Sequence, residues 1–241
     1  MHIGELVLEI TRRCNIQCRH CMRGKAQAKS MTFETLRKTL VNVSSIGTIT
    51  FTGGEPSLNV PFIRYFTEYV RGWRIPVERF YVITNGKMAS PALADALIKL
   101  SWWCSLPDSC SLIMSQDNFH RELGYNQWPA IELYESLPFF QEGQRKAAIL
   151  YPLNQGLALE NGIGLRDERL DPIILTVDED GSVSQNDGTV YVNVNGDVVP
   201  SCDLSYDNQD LEKVGNVYEK PLSEILKQFI HVKPEWLQEV A

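Results

Sequence analysis

The stretch ELVLEITRRCNIQCRHC, residues 5–21, decides how the rest of the chain is read. Residues 5–11 alternate apolar and polar positions and are rich in branched side chains, the pattern of a strand. That strand runs directly into Cys14, Cys18 and Cys21, three of the six cysteines, so half of the thiols sit on one loop at a strand's C-terminal end.

Outward from this stretch the pattern repeats. Residues 31–46 read as an amphipathic helix opened by Thr32, residues 48–52 as a strand stopped by Gly53 and Gly54, and residues 61–73 as a helix. Residues 79–86 form the next strand, 90–103 a helix with Pro91 in its first turn, 111–117 a strand, 128–140 a helix and 146–153 a fifth strand. Alternating strands and helices imply parallel βαβ units, and a run of five strands favours an α/β fold, a barrel or part of one, over residues 1–165. From residue 166 to 241 the texture changes to short alternating runs broken by Asp-Gly and Asn-Gly, which signal antiparallel hairpins in a small C-terminal extension. A final helix is expected over residues 220–230.

The 241 residues are 44% hydrophobic and 22% charged, ordinary for a globular enzyme. A formal charge of -7 argues against broad nucleic-acid binding, which needs a basic face to displace counterions. No stretch has the length and apolarity of a membrane span, and no secretory signal is apparent, so a cytoplasmic location is expected. In that compartment clustered cysteines more often bind metal than form disulfides.

The spacing Cys14-x3-Cys18-x2-Cys21 leaves several chemistries open. Three thiolates can hold three irons of a [4Fe-4S] cube and leave the fourth iron open. A zinc site recruiting a distant fourth ligand, a redox disulfide, and plain buried thiols are the alternatives. Gly53 and Gly54 permit close backbone approach at a neighbouring strand end, and Glu55 adds an acceptor there; alone, the turn is weak evidence of a site. Arg12, Arg13, Arg19 and Arg23 flank the cysteines as charges that offset thiolates, with solvated side chains as their default reading.

The segment CNIQCRHC resembles the signature of the radical S-adenosylmethionine (radical SAM) superfamily, and GGEP at the next strand end resembles that family's second motif. The resemblance implies a partial (β/α)6 TIM-like barrel over residues 1–165, with Cys14, Cys18 and Cys21 holding one [4Fe-4S] cluster. Its open iron is chelated by S-adenosyl-L-methionine, which is cleaved to a 5′-deoxyadenosyl radical that abstracts hydrogen from a substrate. It implies that His20 lies near the adenine and that Gly53, Gly54, Glu55 and Pro56 meet the methionyl ammonium. Thr84 and Asn85 are expected to face the cofactor cavity, Ser115 and Asp117 to be candidates for the ribose, and Arg121 for the carboxylate. His120 reads as a capping or core residue.

The tail, residues 188–230, resembles a shortened SPASM/twitch-like extension. With Cys202 as its single cysteine, it is expected to lack an auxiliary cluster. Cys202 is either a buried remnant or a substrate-facing, catalytic thiol; Cys104 and Cys110 read as structural thiols at the rim opposite the cysteine loop. The resemblance implies a flavodoxin- or ferredoxin-like electron donor and a peptide or protein substrate, with a small metabolite or nucleotide, or activation of a glycyl-radical enzyme, as alternatives. The early start of the first strand argues against an added peptide-recognition domain before the barrel. From a different class, an iron-sulfur electron-transfer or S-adenosylmethionine-binding protein would retain the cysteines without radical turnover.

Overall fold

In the computed structural model of the chain, the described residues are 1–142, 152–166, 173–177, 183–187 and 189–229. The elements in chain order are β1 (His2–Thr11), α1 (Phe33–Thr39), β2 (Ser45–Gly53), α2 (Val60–Gly72), β3 (Val77–Thr84), α3 (Pro91–Ser101), β4 (Ser111–Met114), α4 (Asn118–Glu122), α5 (Trp128–Tyr134) and β5 (Phe140–Glu142). They are followed by α6 (Gly156–Glu160), β6 (Ile174–Val177), β7 (Val183–Asp187), β8 (Val190–Val192), β9 (Asp197–Val199), α7 (Tyr206–Glu212), β10 (Gly215–Asn216) and α8 (Leu222–Leu226).

The sheet runs β10-β9-β8-β1-β2-β3-β4-β5, with β1 to β5 parallel throughout. Among the described residues it is open rather than closed, a mixed α/β fold whose parallel core matches a partial barrel. Because the core strands are parallel, the segments that follow β1, β2, β3 and β4 emerge at one edge, where ligands of parallel sheets bind.

Helix boundaries follow local chemistry. Thr32 caps α1 by accepting from the Thr35 N–H, and Ser90 caps α3 by accepting from the Leu93 N–H. In α2 the apolar residues Val60, Phe62, Ile63, Phe66 and Val70 recur at helical spacing and are buried. Phe66 meets Phe51 of β2 edge-on at 5.2 Å; burying one such ring contributes about 1.5–3 kcal/mol. Among the described residues no helix is long and apolar enough to cross a membrane.

Several boundaries differ from the sequence expectation. The first helix stops at Thr39 because the chain reverses at Asn42, φ 62°, to enter β2. The strand expected over 111–117 ends at Met114, since Asp117 takes the cap position of α4. The helix expected to residue 140 ends at Tyr134, and Phe140 instead opens β5. The strand expected over 146–153 lies largely outside the described residues; Leu153 bridges Arg166 in parallel. The final helix is α8 followed by a 3-10 turn to Phe229.

The hairpins of the C-terminal half, β6–β7 and β8–β9, are antiparallel as expected. Both attach to the core sheet itself: β7 and β8 pair in parallel with the two halves of β1. This makes β1 a central strand, and it explains why every residue from Leu6 to Thr11 is buried, Glu9 included.

Candidate active site

The loop after β1 is closed at its base by backbone hydrogen bonds, Arg12 N to Lys29 O and Gln27 N to Arg12 O, both 2.9 Å. Inside it, Cys21 N donates to Cys18 O and Gly24 N to Cys21 O, so the chain curls tightly around the thiols. Cys14, Cys18 and Cys21 line one cavity with Gly53, Gly54 and Asn85.

Burial pushes the Cys18 thiol up to about 12, with Cys21, Cys14 and Asp117 adding repulsion, and burial likewise raises Cys14. Such a set is unfavourable as thiolates unless a cation binds it, which fits a metal centre.

The end of β2 is docked onto the root of the cysteine loop. Gly54 N donates to Thr11 O at 2.7 Å and Glu55 N to Arg13 O at 2.8 Å. A Cβ on Gly53 would collide with the Thr11 carbonyl, one on Gly54 with that of Arg13, and Gly53 has φ 130°. The glycines therefore allow strand and loop to touch, besides lining the cavity. We expect Gly53→Ala to destabilise the metal-free protein by about 1–3 kcal/mol or more, read from its urea midpoint.

Glu55 is buried and its carboxylate is occupied by the chain. Oε1 accepts from Thr84 Oγ1 at 2.8 Å and from Ser57 N at 3.0 Å, and Oε2 from Asn85 N at 2.8 Å. It ties the ends of β2 and β3 together, while Pro56, also buried, starts a 3-10 turn. The Asn85 side chain donates to Asn15 Oδ1 at 2.8 Å and approaches Cys14 Sγ at 3.9 Å. The Asn85 backbone carbonyl accepts from Tyr125 Oη and Gln127 Nε2. Thr84 is buried under Glu55, one shell behind the cavity wall.

Beyond β4, Ser115 N donates to Thr84 O, and its carbonyl accepts from Gln127 Nε2. Asp117 accepts from the His120 backbone N–H at 3.0 Å and meets His120 Nδ1 at 2.7 Å. His120 lines the cavity, with Nε2 3.6 Å from Cys18 Sγ. Arg121 is exposed on α4 and does not line the cavity.

His20 also lines the cavity and stacks on Phe119 with ring centroids 4.3 Å apart. Burial holds its imidazole down to about 4, and its Nδ1 is buried without a partner. The ordinary value of 6.5 falls to about 4 on folding, so unfolded chains bind the proton more readily. Stability of the metal-free protein therefore falls as pH drops from about 6.5 toward 4, and His20→Phe should flatten that decline in urea midpoints.

Sequence reading missed the contribution of the C-terminal half. Leu157 and Tyr206 complete the cavity wall, and Leu157 N donates to Cys21 O at 2.8 Å. Arg12 and Arg23, expected among solvated flanks, are buried. Arg12 Nε donates to Glu9 Oε1 at 2.6 Å, Nη2 to Gln209 Oε1 at 2.8 Å, and the guanidinium lies over the Tyr206 ring at 4.4 Å. Arg23 donates to Leu204 O and covers Tyr191. Arg13 and Arg19 are exposed as expected. The sequence signal was an acid inside an apolar strand three residues before an arginine.

Cys202 is half-buried against the cluster formed by Val7, Tyr191, Val199 and Leu204, and burial pushes its thiol up to about 11. It does not line the cavity of the other three cysteines. Cys104 and Cys110 are buried, at the end of α3 and just before β4, the opposite rim of the sheet.

The sequence matches the model of the radical SAM superfamily over residues 8–107. An uncharacterized protein of Methanocaldococcus jannaschii is 31% identical over 99 residues, 39% of this chain and 35% of that protein. The chain thus matches about a third of the length of that curated relative. Among solved structures, anSMEcpe with bound AdoMet and Kp18Cys peptide is 14% identical, with 95% of this chain and 83% of that chain covered at a TM-score of 0.49. Streptococcus suis SuiB bound to precursor peptide SuiA is 15% identical, with 92% and 64% covered at 0.48. The matched segment contains the cysteine loop, the Gly-Gly turn and Asn85; His120, Leu157 and Tyr206, which finish the cavity, come from outside it.

Proposed function

We propose that this chain is a radical SAM enzyme in which Cys14, Cys18 and Cys21 hold one [4Fe-4S] cluster beside a site for S-adenosyl-L-methionine. The observation that carries this reading is the single cavity shared by three clustered thiols and the Gly53-Gly54 strand end. When bound, the pair of cofactors supplies a 5′-deoxyadenosyl radical that takes a hydrogen atom from substrate.

The chain's own residues bind, orient and exclude water. Backbone at Gly53 and Gly54 offers close approach for the methionyl end, with Glu55 acting behind it as a brace rather than as a free acceptor. His20 on Phe119 offers an uncharged flat wall with one unused ring nitrogen, suited to a nucleobase. Asn85, which lines the cavity, and Ser115, which follows β4 but does not line it, are our candidates for the remaining polar groups of the cofactor. Leu157 and Tyr206 shield the cavity from the C-terminal side, which a reactive radical requires.

The substrate class we propose is a peptide or protein, supported by the likeness of residues 188–230 to a shortened SPASM/twitch-like extension. Exposed Arg13, Lys29 and Lys87 near the cysteine loop suit an acidic flavodoxin- or ferredoxin-like donor. Anaerobic reconstitution tests the metal assignment: about four iron and four sulfide per chain are expected, and about one zinc without sulfide would contradict it.

A further inference from the structure

Four aromatic rings form a ladder on the outer surface of α1 and α2. Phe33 of α1 stacks on Tyr65 of α2 with ring centroids 4.2 Å apart, Tyr69 follows Tyr65 at 6.3 Å, and Trp73 follows Tyr69 at 6.1 Å. Tyr65 and Tyr69 are half-buried, while Phe33 is 44% and Trp73 70% exposed. Singly exposed rings are ordinary on a folded chain, but a contiguous row of aromatics has the composition of a binding surface. Gly72 and Arg74, on either side of Trp73 in sequence, line a cleft with Glu68, Arg71 and Trp103.

The charge around the ladder opposes that of the whole chain. Arg37, which donates to Tyr65 Oη at 3.3 Å, is exposed there with Lys38, Arg71 and Arg74, against Glu34 and Glu68, whereas the chain carries a formal charge of -7. Among the described residues none of these four cations is held in an ion pair. Arg74 follows the end of α2 at φ 55°, a left-handed position that glycine or asparagine fills more readily, so a cation stands there at a steric cost.

A helix fits this face better than a strand or a second copy of the chain. The backbone of α2 is internally hydrogen-bonded and offers no edge for strand addition. Tyr65, Tyr69 and Trp73 recur every four residues, about 6 Å along the axis, the repeat at which another helix presents its own side chains. A second copy would bring the same four cations against this face. We propose that the α1–α2 face docks an amphipathic helix of a partner protein, with apolar residues on the aromatic ladder and acidic residues against Arg37, Arg71 and Arg74.

The test uses the full chain and two dye-labelled synthetic helices with the same leucine face, one bordered by glutamate and one by lysine. Fluorescence anisotropy at low ionic strength should show the glutamate helix bound at least about tenfold more tightly. Arg71→Glu combined with Arg74→Glu should reverse that order, and Trp73→Ser should weaken the glutamate helix by about tenfold or more. Urea midpoints of each variant separate loss of docking from loss of fold; if Trp73→Ser lowers the midpoint, the charge reversal decides. No saturable binding of either helix, or an order that the charge reversal leaves unchanged, would overturn the proposal. So would a wild-type dimer in sedimentation that Trp73→Ser dissociates, or phosphatidylserine vesicles that displace the glutamate helix, since either gives the face another occupant. Docking is read without iron or S-adenosyl-L-methionine, so its failure leaves the functional reading untouched.

Discussion

Cys14→Ala, Cys18→Ala and Cys21→Ala each leave the anaerobically reconstituted protein without its cluster, dropping iron from about four per chain to near zero. On the proposed assignment each variant removes one of three ligands whose remaining thiols repel one another as thiolates, so two ligands do not hold the cube. Cys104→Ala and Cys110→Ala are the matched controls. They delete buried thiols at the opposite rim and leave iron unchanged. Iron and sulfide assays on the five variants check both halves, and full iron retention in any of the first three contradicts its ligand role.

Arg12→Ala has the largest effect expected on the fold, a loss of about 3–5 kcal/mol in urea unfolding of the metal-free protein. Glu9 is fully buried and accepts from Arg12, Tyr191 at 2.7 Å, Gln209 at 3.0 Å and the Val194 N–H at 3.3 Å. Truncating Arg12 strands that carboxylate without its counter-charge and unties Gln27 of the cysteine loop and Gln209 of α7 together. Glu9→Gln combined with Arg12→Met removes both charges and should recover much of the loss. A cost below about 1 kcal/mol for Arg12→Ala would show that the pair does not join the two halves of the chain.

What the sequence made legible was local. Alternation in β1, the helical patterns behind α1, α2 and α3, and the helix openings at Thr32 and Pro91 each depend on neighbours a few residues away. Cys14, Cys18 and Cys21, with Gly53 and Gly54, were legible for the same reason, since short spacing and strand-end position carry their message.

What stayed hidden depends on pairings across the chain. Nothing near Glu9 announces Tyr191 or Gln209, and nothing in the hairpin signals of residues 166–199 says that β7 and β8 extend the core sheet beside β1. Asp117 was read within a strand over 111–117, as one candidate for a ribose contact; its capping geometry emerged only with α4 in place. Glu55 shows a third kind of limit: its motif was visible, yet the three donors that occupy its carboxylate were not.

The central claim is that the cysteine loop and the Gly-Gly strand end work together to cleave S-adenosyl-L-methionine. The most direct measurement is 5′-deoxyadenosine release by the anaerobically reconstituted protein with S-adenosyl-L-methionine, with and without dithionite. Release that requires both dithionite and Cys18 is the predicted result. A fully loaded cluster that yields none across a screen of peptide and small-molecule substrates would contradict it.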